Sequence, residues 1–201
     1  MNTNYPKISN KHILNFKKNF FITKNSFVII VYGAISSNKS LEELLNALQG
    51  KKFKKKIVVI VAGKQEKDIS IYLNKIKKKL TFEIHILNKY ITPSLEKKLF
   101  SVVDLTWIAY KKNYGSSGVY YLSAYMKKPA LISRTGLIAH LNKTHKIAKR
   151  VSYQNPQDIR KLINLFINKK NVVKKKNQQM LYNTLKQKKF ENTICNFLSK
   201  I

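Results

Sequence analysis

Gly115, Ser116, Ser117 and Gly118 are the residues whose types and spacing best suit a chemical role in this sequence. Backbone without bulky side chains can approach an anion closely, and the two hydroxyls can add hydrogen bonds. An apolar, helix-like run follows, so the N–H groups of a helix start would point at the same place. The pattern predicts a phosphate site. It also suits a βα turn whose serines only cap the helix, and the turn taken alone favours that interpretation.

A strand must precede this turn and another must follow its helix if the turn is to lie at a sheet edge. Residues 104–110 and 129–133 are the apolar runs at these two places. Residues 27–32 and 57–62 are apolar and largely β-branched, and each run ends beside a glycine. Such runs are typical of strands buried on both faces of a parallel sheet.

Helix signals alternate with these strands. Ser40 followed by Glu43 predicts a capping box, and Thr92 before a proline predicts another helix start. Residues 81–87 and 146–153 are further strand candidates. Strands alternating with helices predict an α/β fold with a doubly wound parallel, Rossmann-like sheet. Right-handed crossovers then bring every βα turn to one edge, where a ligand crevice is expected.

The length of 201 residues suits one compact domain. We divide the chain into a lead-in or linker (residues 1–25), a Rossmann-like domain (26–170) and a helical tail (171–201). The single cysteine, Cys195, excludes an internal disulfide, and its place on an apolar helical stripe predicts packing. We expect an intracellular, cytoplasmic protein, because no stretch resembles a signal peptide or a membrane span.

The charge is strongly basic: 40 Lys and Arg against 9 Asp and Glu give a formal +31. Such a charge predicts attraction to polyanions, which include nucleic acid, an anionic membrane face and phosphorylated ligands. Lysine dominates the runs at 51–56, 75–79 and 174–176, and it suits diffuse contact more than base reading. No motif that reads DNA or RNA is visible, so specific nucleic-acid binding is not expected.

Other chemistry finds little support in the sequence. The four histidines lack metal-ligand spacing, so no metal site is expected. Asp104 stands at the start of its strand, at the edge opposite the βα turns, where we expect it to cap the preceding turn. Tyr121 and Tyr125 have helical spacing and are expected to pack their helix on the sheet.

Taken together, these segments resemble the carboxyl-terminal, donor-binding half of a GT-B glycosyltransferase of group 1, also called family 4. The resemblance covers about residues 5–166. In that family a strand ends in a glycine and a loop with a lysine follows, as in residues 33–39 here. Residues 117–129 look like its glycine turn, helix and Gly-Lys-Pro segment, with Lys128 and Pro129 at the end.

The resemblance implies glycosyl transfer from a nucleoside-diphosphate sugar, with no metal or other cofactor. It places the diphosphate at Gly33, Lys39, Ser116, Ser117, Gly118 and Val119. The nucleobase and ribose would lie near Lys89, Tyr90 and Tyr114. Contact with the inner face of an anionic membrane would accompany this activity if the acceptor is lipid-linked.

The sequence also departs from the family pattern. Ala34 stands where the family often has an arginine, and its two glutamates fall at Tyr114 and Leu122. The family's amino-terminal, acceptor-binding half has no counterpart in these 201 residues. Whether the chain is an enzyme is therefore not decided by the sequence, and no catalytic residue is named. The chain is a donor-binding subunit that needs an acceptor-binding partner, a truncated or relic transferase, or a non-catalytic basic module that binds nucleic acid or anionic membrane.

Overall fold

The order of secondary-structure elements is a regular alternation of strands and helices. The structure, a computed structural model, describes residues 8–111, 115–169 and 172–184. Its strands are β1 (Ser26–Tyr32), β2 (Lys56–Ala62), β3 (Glu83–Leu87), β4 (Leu105–Ile108), β5 (Ala130–Ser133) and β6 (Ala148–Val151). Its helices are α1 (Asn10–Asn19), α2 (Leu41–Leu48), α3 (Lys67–Ile76), α4 (Pro93–Val102), α5 (Gly118–Tyr125), α6 (Leu137–His145), α7 (Pro156–Asn168) and α8 (Lys175–Thr184), with 3-10 turns at Ser37–Lys39 and Lys77–Lys79.

The six strands form one parallel sheet in the order β3-β2-β1-β4-β5-β6. This confirms the predicted doubly wound fold. The chain leaves β1 in one direction for β2 and β3, and then returns to add β4 on its other side. The point where the order reverses therefore lies between β1 and β4, and loops part there to leave a crevice at the carboxyl edge.

Apolar side chains cover both faces of the sheet. In β1, Phe27, Ile29 and Val31 belong to one buried cluster, whereas Val28 and Ile30 belong to another. The first cluster includes side chains of α2, α3 and α7, and the second includes side chains of α4. Alternate residues of one strand thus serve opposite layers, which explains why the strand is apolar throughout.

The segments outside residues 26–170 also contribute to the fold. We interpreted residues 1–25 as a lead-in without clear periodicity, but α1 forms there and packs Ile13, Phe16 and Phe20 on the second cluster. In the tail, α8 contacts α5 and buries Leu181. Cys195 lies outside the described residues.

Several local predictions need correction. Ser40 makes no capping bond: it follows a 3-10 turn and has a left-handed backbone, with φ +47°, whereas a capping residue is extended. Glu43 instead pairs with Lys111. Asp104 does not cap the preceding turn; its carboxylate accepts a hydrogen bond from the Val28 N–H at 2.9 Å. Tyr121 packs against the first apolar cluster as predicted, but Tyr120, which was not singled out, is the fully buried tyrosine of α5.

Other strand bounds are shorter than predicted. The strand expected at 81–87 begins at Glu83, because the backbone N–H of Thr81 donates to the Gln49 side chain. The last strand covers 148–151 only. The backbone N–H groups of Ile147, just before this strand, and of Ala148, its first residue, both donate to the Asn142 side chain. Thr92 caps α4 as predicted, through a bond from the Leu95 N–H.

No helix in the described part of the chain has both the length and the hydrophobicity needed to span a bilayer.

Candidate functional site at the carboxyl edge of the sheet

A cavity of about 580 Å³ opens at the carboxyl edge, where the strand order reverses. Four segments form its walls: the loop after β1, the residues around Tyr90, the first turn of α4, and the turn that leads into α5. Tyr110, on one side, belongs to the first apolar cluster, whereas Ile91 and Leu122 belong to the second. The cavity therefore spans both layers of the fold at their common edge.

Two glycines allow the strand ends to lie close together. The N–H of Gly33 donates to the Ala62 carbonyl at 3.0 Å, and its φ of +95° favours glycine. A Cβ on Gly63 would lie 1.7 Å from the Gly33 carbonyl oxygen, so only glycine fits there. The loop after β1 consequently starts in direct contact with the loop after β2.

The 3-10 turn Ser37–Lys39 positions Lys39, the one lysine among the described residues that line this cavity. The indole N–H of Trp107, on β4, donates to the Lys39 carbonyl at 2.9 Å. The backbone N–H of Lys111 donates to the Asn38 carbonyl at 2.7 Å. These bonds fasten the loop after β1 to the end of β4, and thus hold Lys39 beside the turn before α5.

The ammonium group of Lys39 lies 3.9 Å from the centre of the Tyr110 ring, in a cation–π contact. Burial lowers the pKa of Lys39 from 10.5 to about 8, because a charge that is removed from water is less stable. Burial also raises the pKa of Tyr110 to about 12, so its ring stays neutral. Lys39 is thus a cation whose charge would be stabilised by an anion.

The start of α5 is the second feature of this side of the cavity. Ser117 precedes the helix but its side chain makes no capping bond. It is buried and lies 3.4 Å from the Tyr110 hydroxyl. A Cβ added to Gly118 would meet nothing within 4 Å. The side chains thus leave the positive end of the α5 dipole open toward the cavity.

The opposite side of the cavity carries a carboxylate. Glu96, in the first turn of α4, accepts a hydrogen bond from the Tyr32 hydroxyl at 2.5 Å. The Tyr32 ring packs edge-on against Phe100, with 5.3 Å between ring centres. Tyr90 lies nearby with 80% of its surface exposed.

The structure brings most of the predicted site residues together. Lining the cavity are Gly33, Lys39, Ser116, Ser117, Gly118, Val119 and Tyr90. Lys89 is exposed beside it but does not line it, and Tyr114 lies outside the described residues. Leu122, at a position where the family often has a glutamate, does line the cavity.

The sequence reasoning missed Glu96 and Tyr32. In the sequence Glu96 stands four residues after Thr92, the predicted helix start, and the rule that βα turns share one edge would have placed it there. Tyr32 was interpreted as the end of a buried strand. In the described residues no group of three or more His, Cys, Asp or Glu side chains could hold a metal ion.

No protein-family model and no curated protein matches this sequence. Solved structures do match. HepE of Anabaena, solved with UDP and glucose, aligns with 100% of this chain and 55% of its own, at a TM-score of 0.76 and 17% identity. The carboxyl-terminal domain of LpcC, a group 1 glycosyltransferase of Francisella tularensis, aligns with 89% of this chain and 92% of its own, at a TM-score of 0.62 and 19% identity.

A third match is the catalytic domain of cholesterol-alpha-glucosyltransferase from Helicobacter pylori, with 79% of this chain and 96% of that one covered, a TM-score of 0.59 and 16% identity. The chain spans about half the length of longer matches, such as HepE and the amino-terminal domain of Candida albicans trehalose-6-phosphate phosphatase. At these identities the similarity establishes the fold. The chain therefore has the fold of a GT-B half-domain of the kind found in group 1 glycosyltransferases, as its motifs predicted.

Proposed function

We propose that this chain binds the nucleoside-diphosphate sugar donor of a glycosyl transfer. The observation that carries the proposal is the convergence of Lys39 and the start of α5 on one cavity. A diphosphate supplies the negative charge that both features favour. The neighbour HepE was solved with UDP and with UDP-glucose, which supports the choice of ligand class.

Glycosyl transfer breaks the bond between the sugar and the diphosphate, and negative charge develops on the leaving phosphate oxygen. Lys39 and the backbone N–H groups at the start of α5 would stabilise that charge. Because Tyr110 and the bonded loop hold Lys39 in place before the reaction, little reorganisation is needed. The proposed role of this chain is thus to bind the donor and stabilise its leaving group.

The acceptor would be bound by another part of the assembly. This chain covers 55% of HepE and 46% of the Candida albicans domain, so each of those chains is about twice as long. We propose that an acceptor-binding domain, on a separate subunit or elsewhere in a longer protein, completes the active site beside the cavity.

Isothermal titration calorimetry with UDP tests the donor site. We expect Lys39→Met to weaken UDP binding at least about tenfold, because a charge-assisted contact is lost. Lys64→Met is the matched control, since Lys64 is an exposed lysine on the neighbouring loop after β2 and does not line the cavity. Equal affinity in Lys39→Met and wild type would contradict the proposal, and so would the absence of wild-type binding to UDP and to GDP.

A second candidate function rests on the opposite, amino edge of the sheet. A cavity of about 570 Å³ there is lined by lysines from the loop before β2 and from the ends of α5 and α7: Lys54, Lys55, Lys127, Lys128 and Lys169. Lysines at helix ends also stabilise the helix dipole, but Lys54 and Lys55 lie in a loop. We propose that this edge binds an anionic lipid surface.

A further inference from the structure

The segment that joins α1 to β1 lies at the lysine-rich amino edge of the sheet. Its last residue, Asn25, lines the cavity there together with Lys54 and Lys55. The backbone N–H of Lys56 donates to the Asn25 carbonyl at 2.9 Å, which fastens the segment to the start of β2. The exposed surface of this segment therefore belongs to the edge for which lipid binding is the second candidate function.

The end of α1 adds positive charge to this edge. Burial lowers the pKa of Lys128, the Asp104 carboxylate opposes this change, and the positive charge of Lys17 lowers the pKa further. Lys17 is thus close enough to Lys128 for the two charges to interact. Residues 8–25 contain four lysines and no acid. The surface at the end of α1 is therefore complementary to an anionic partner.

Phe21, two residues after the end of α1, carries a large apolar ring with 64% of its surface exposed. One face of the ring stacks on His85, with 6.2 Å between ring centres. Leu14 of α1 is also largely exposed, and it shares a helix face with Lys17 and Lys18, three and four residues further on. Apolar side chains beside lysines suit the boundary between the headgroups and the acyl chains of an anionic lipid surface.

The backbone of Phe21 shows that the fold does not require this side chain. α1 ends in a Schellman motif, in which the Ile22 N–H donates to the Lys17 carbonyl at 2.9 Å. The Phe21 N–H donates to the Lys18 carbonyl at 3.0 Å. This motif places Phe21 in the left-handed region, with φ +49°, where glycine is favoured and a bulky side chain is uncommon. The chain thus keeps a mostly exposed aromatic ring at a position that suits glycine better.

We propose that Phe21 inserts into the lipid surface that the amino edge binds, while the surrounding lysines contact the anionic headgroups. This inference rests on the second candidate function and adds an apolar contact to it. A polyanion without acyl chains would contact the lysines and leave the ring in water. The ring of Phe21 therefore distinguishes a lipid surface from other polyanions.

Sedimentation with phosphatidylglycerol vesicles at about 0.1 M salt tests the inference. Phe21→Gly should weaken vesicle binding about fivefold, because the apolar contact is lost. Its thermal stability should stay close to that of the wild type, since glycine suits the left-handed backbone. The matched control is Ile71→Ala, which removes a similarly exposed apolar side chain from α3, on the other face of the sheet, and should leave vesicle binding unchanged.

Phe21→Trp keeps an aromatic ring and reports its surroundings, because Trp107, the one natural tryptophan, is fully buried. When the protein binds vesicles, the fluorescence of the introduced indole should shift to the blue and be quenched by brominated acyl chains. Ile71→Trp should show neither change. Wild-type vesicle affinity in Phe21→Gly, or no quenching of vesicle-bound Phe21→Trp, would overturn the insertion and leave a contact through lysines alone. Failure of the wild type to bind vesicles would overturn both the insertion and the lipid-binding edge.

Discussion

Lys39 is the residue on which the proposed chemistry depends most. Its ammonium group is removed from much of its water and placed over an aromatic ring, and burial lowers its pKa to about 8. A protein gains no stability from such a charge at neutral pH. The gain comes when an anion binds, because the anion replaces the water that the ammonium group lost.

A pH titration of UDP binding should show the titration of Lys39. An anion stabilises the protonated lysine, so affinity should be nearly constant between about pH 7 and 8, where the UDP phosphates are ionised, and fall above pH 8 by at most about tenfold per pH unit. Calorimetry in buffers of different ionisation enthalpy should detect proton uptake on binding near pH 8. Lys39→Met should lack both effects, and a wild-type affinity that is constant from pH 7 to about 10 would contradict this assignment.

The unliganded protein should show the opposite trend in stability. Lys39 has a lowered pKa in the folded state, so its charge destabilises the fold fully below pH 8. As pH rises from about 8 to 10.5, the folded protein releases this proton before the unfolded chain does, and the free energy of unfolding rises. Lys39→Met should remove this contribution from the pH dependence measured by denaturant unfolding.

At the scale of elements, the start of α5 and the loop after β1 are brought together by β1 and β4. The strands themselves could be predicted from their apolar runs, and the glycines that end them could be predicted as turns. The helix α1 was missed, although Ile13, Phe16 and Phe20, the last directly after the helix, have the i, i+3, i+7 spacing of one helix face. Ser40 failed as a cap because the 3-10 turn before it determines its backbone angles.

Gly118 separates the stability of α5 from its proposed binding role. A Cβ added there meets no atom within 4 Å, and alanine is the better helix former, so Gly118→Ala should leave thermal stability unchanged or slightly higher. The same methyl group would stand where the diphosphate approaches the helix start, and UDP affinity should fall about tenfold or more. Unchanged UDP affinity in a stable Gly118→Ala protein would argue against diphosphate at this place.

At the scale of the whole molecule, the cavity at the carboxyl edge and the lysine-rich amino edge lie at opposite ends of the strands. The composition predicted attraction to anions. It did not predict that two separate basic regions lie at opposite edges of the sheet, which the topology reveals. The pairing of Lys39 with the turn before α5 was predicted from the family resemblance. Glu96 and Tyr32 were missed because they are 64 residues apart and meet only through the fold.

The amino edge should bind vesicles that contain phosphatidylglycerol, and this binding should weaken strongly at about 0.5 M salt. Replacing Lys54, Lys55 and Lys127 with glutamine should reduce vesicle sedimentation severalfold. The matched control replaces Lys143, Lys146 and Lys149, which line a separate cavity beside β6. Equal loss in both triple variants, or preference for a short nucleic acid over the vesicles, would contradict a lipid-binding edge.

A crystal structure with UDP tests the central claim most directly. The account predicts a diphosphate oxygen within about 3 Å of the Lys39 ammonium group and of a backbone N–H at the start of α5. UDP held instead by the lysines of the amino edge or beside β6, with the carboxyl-edge cavity empty, would contradict it.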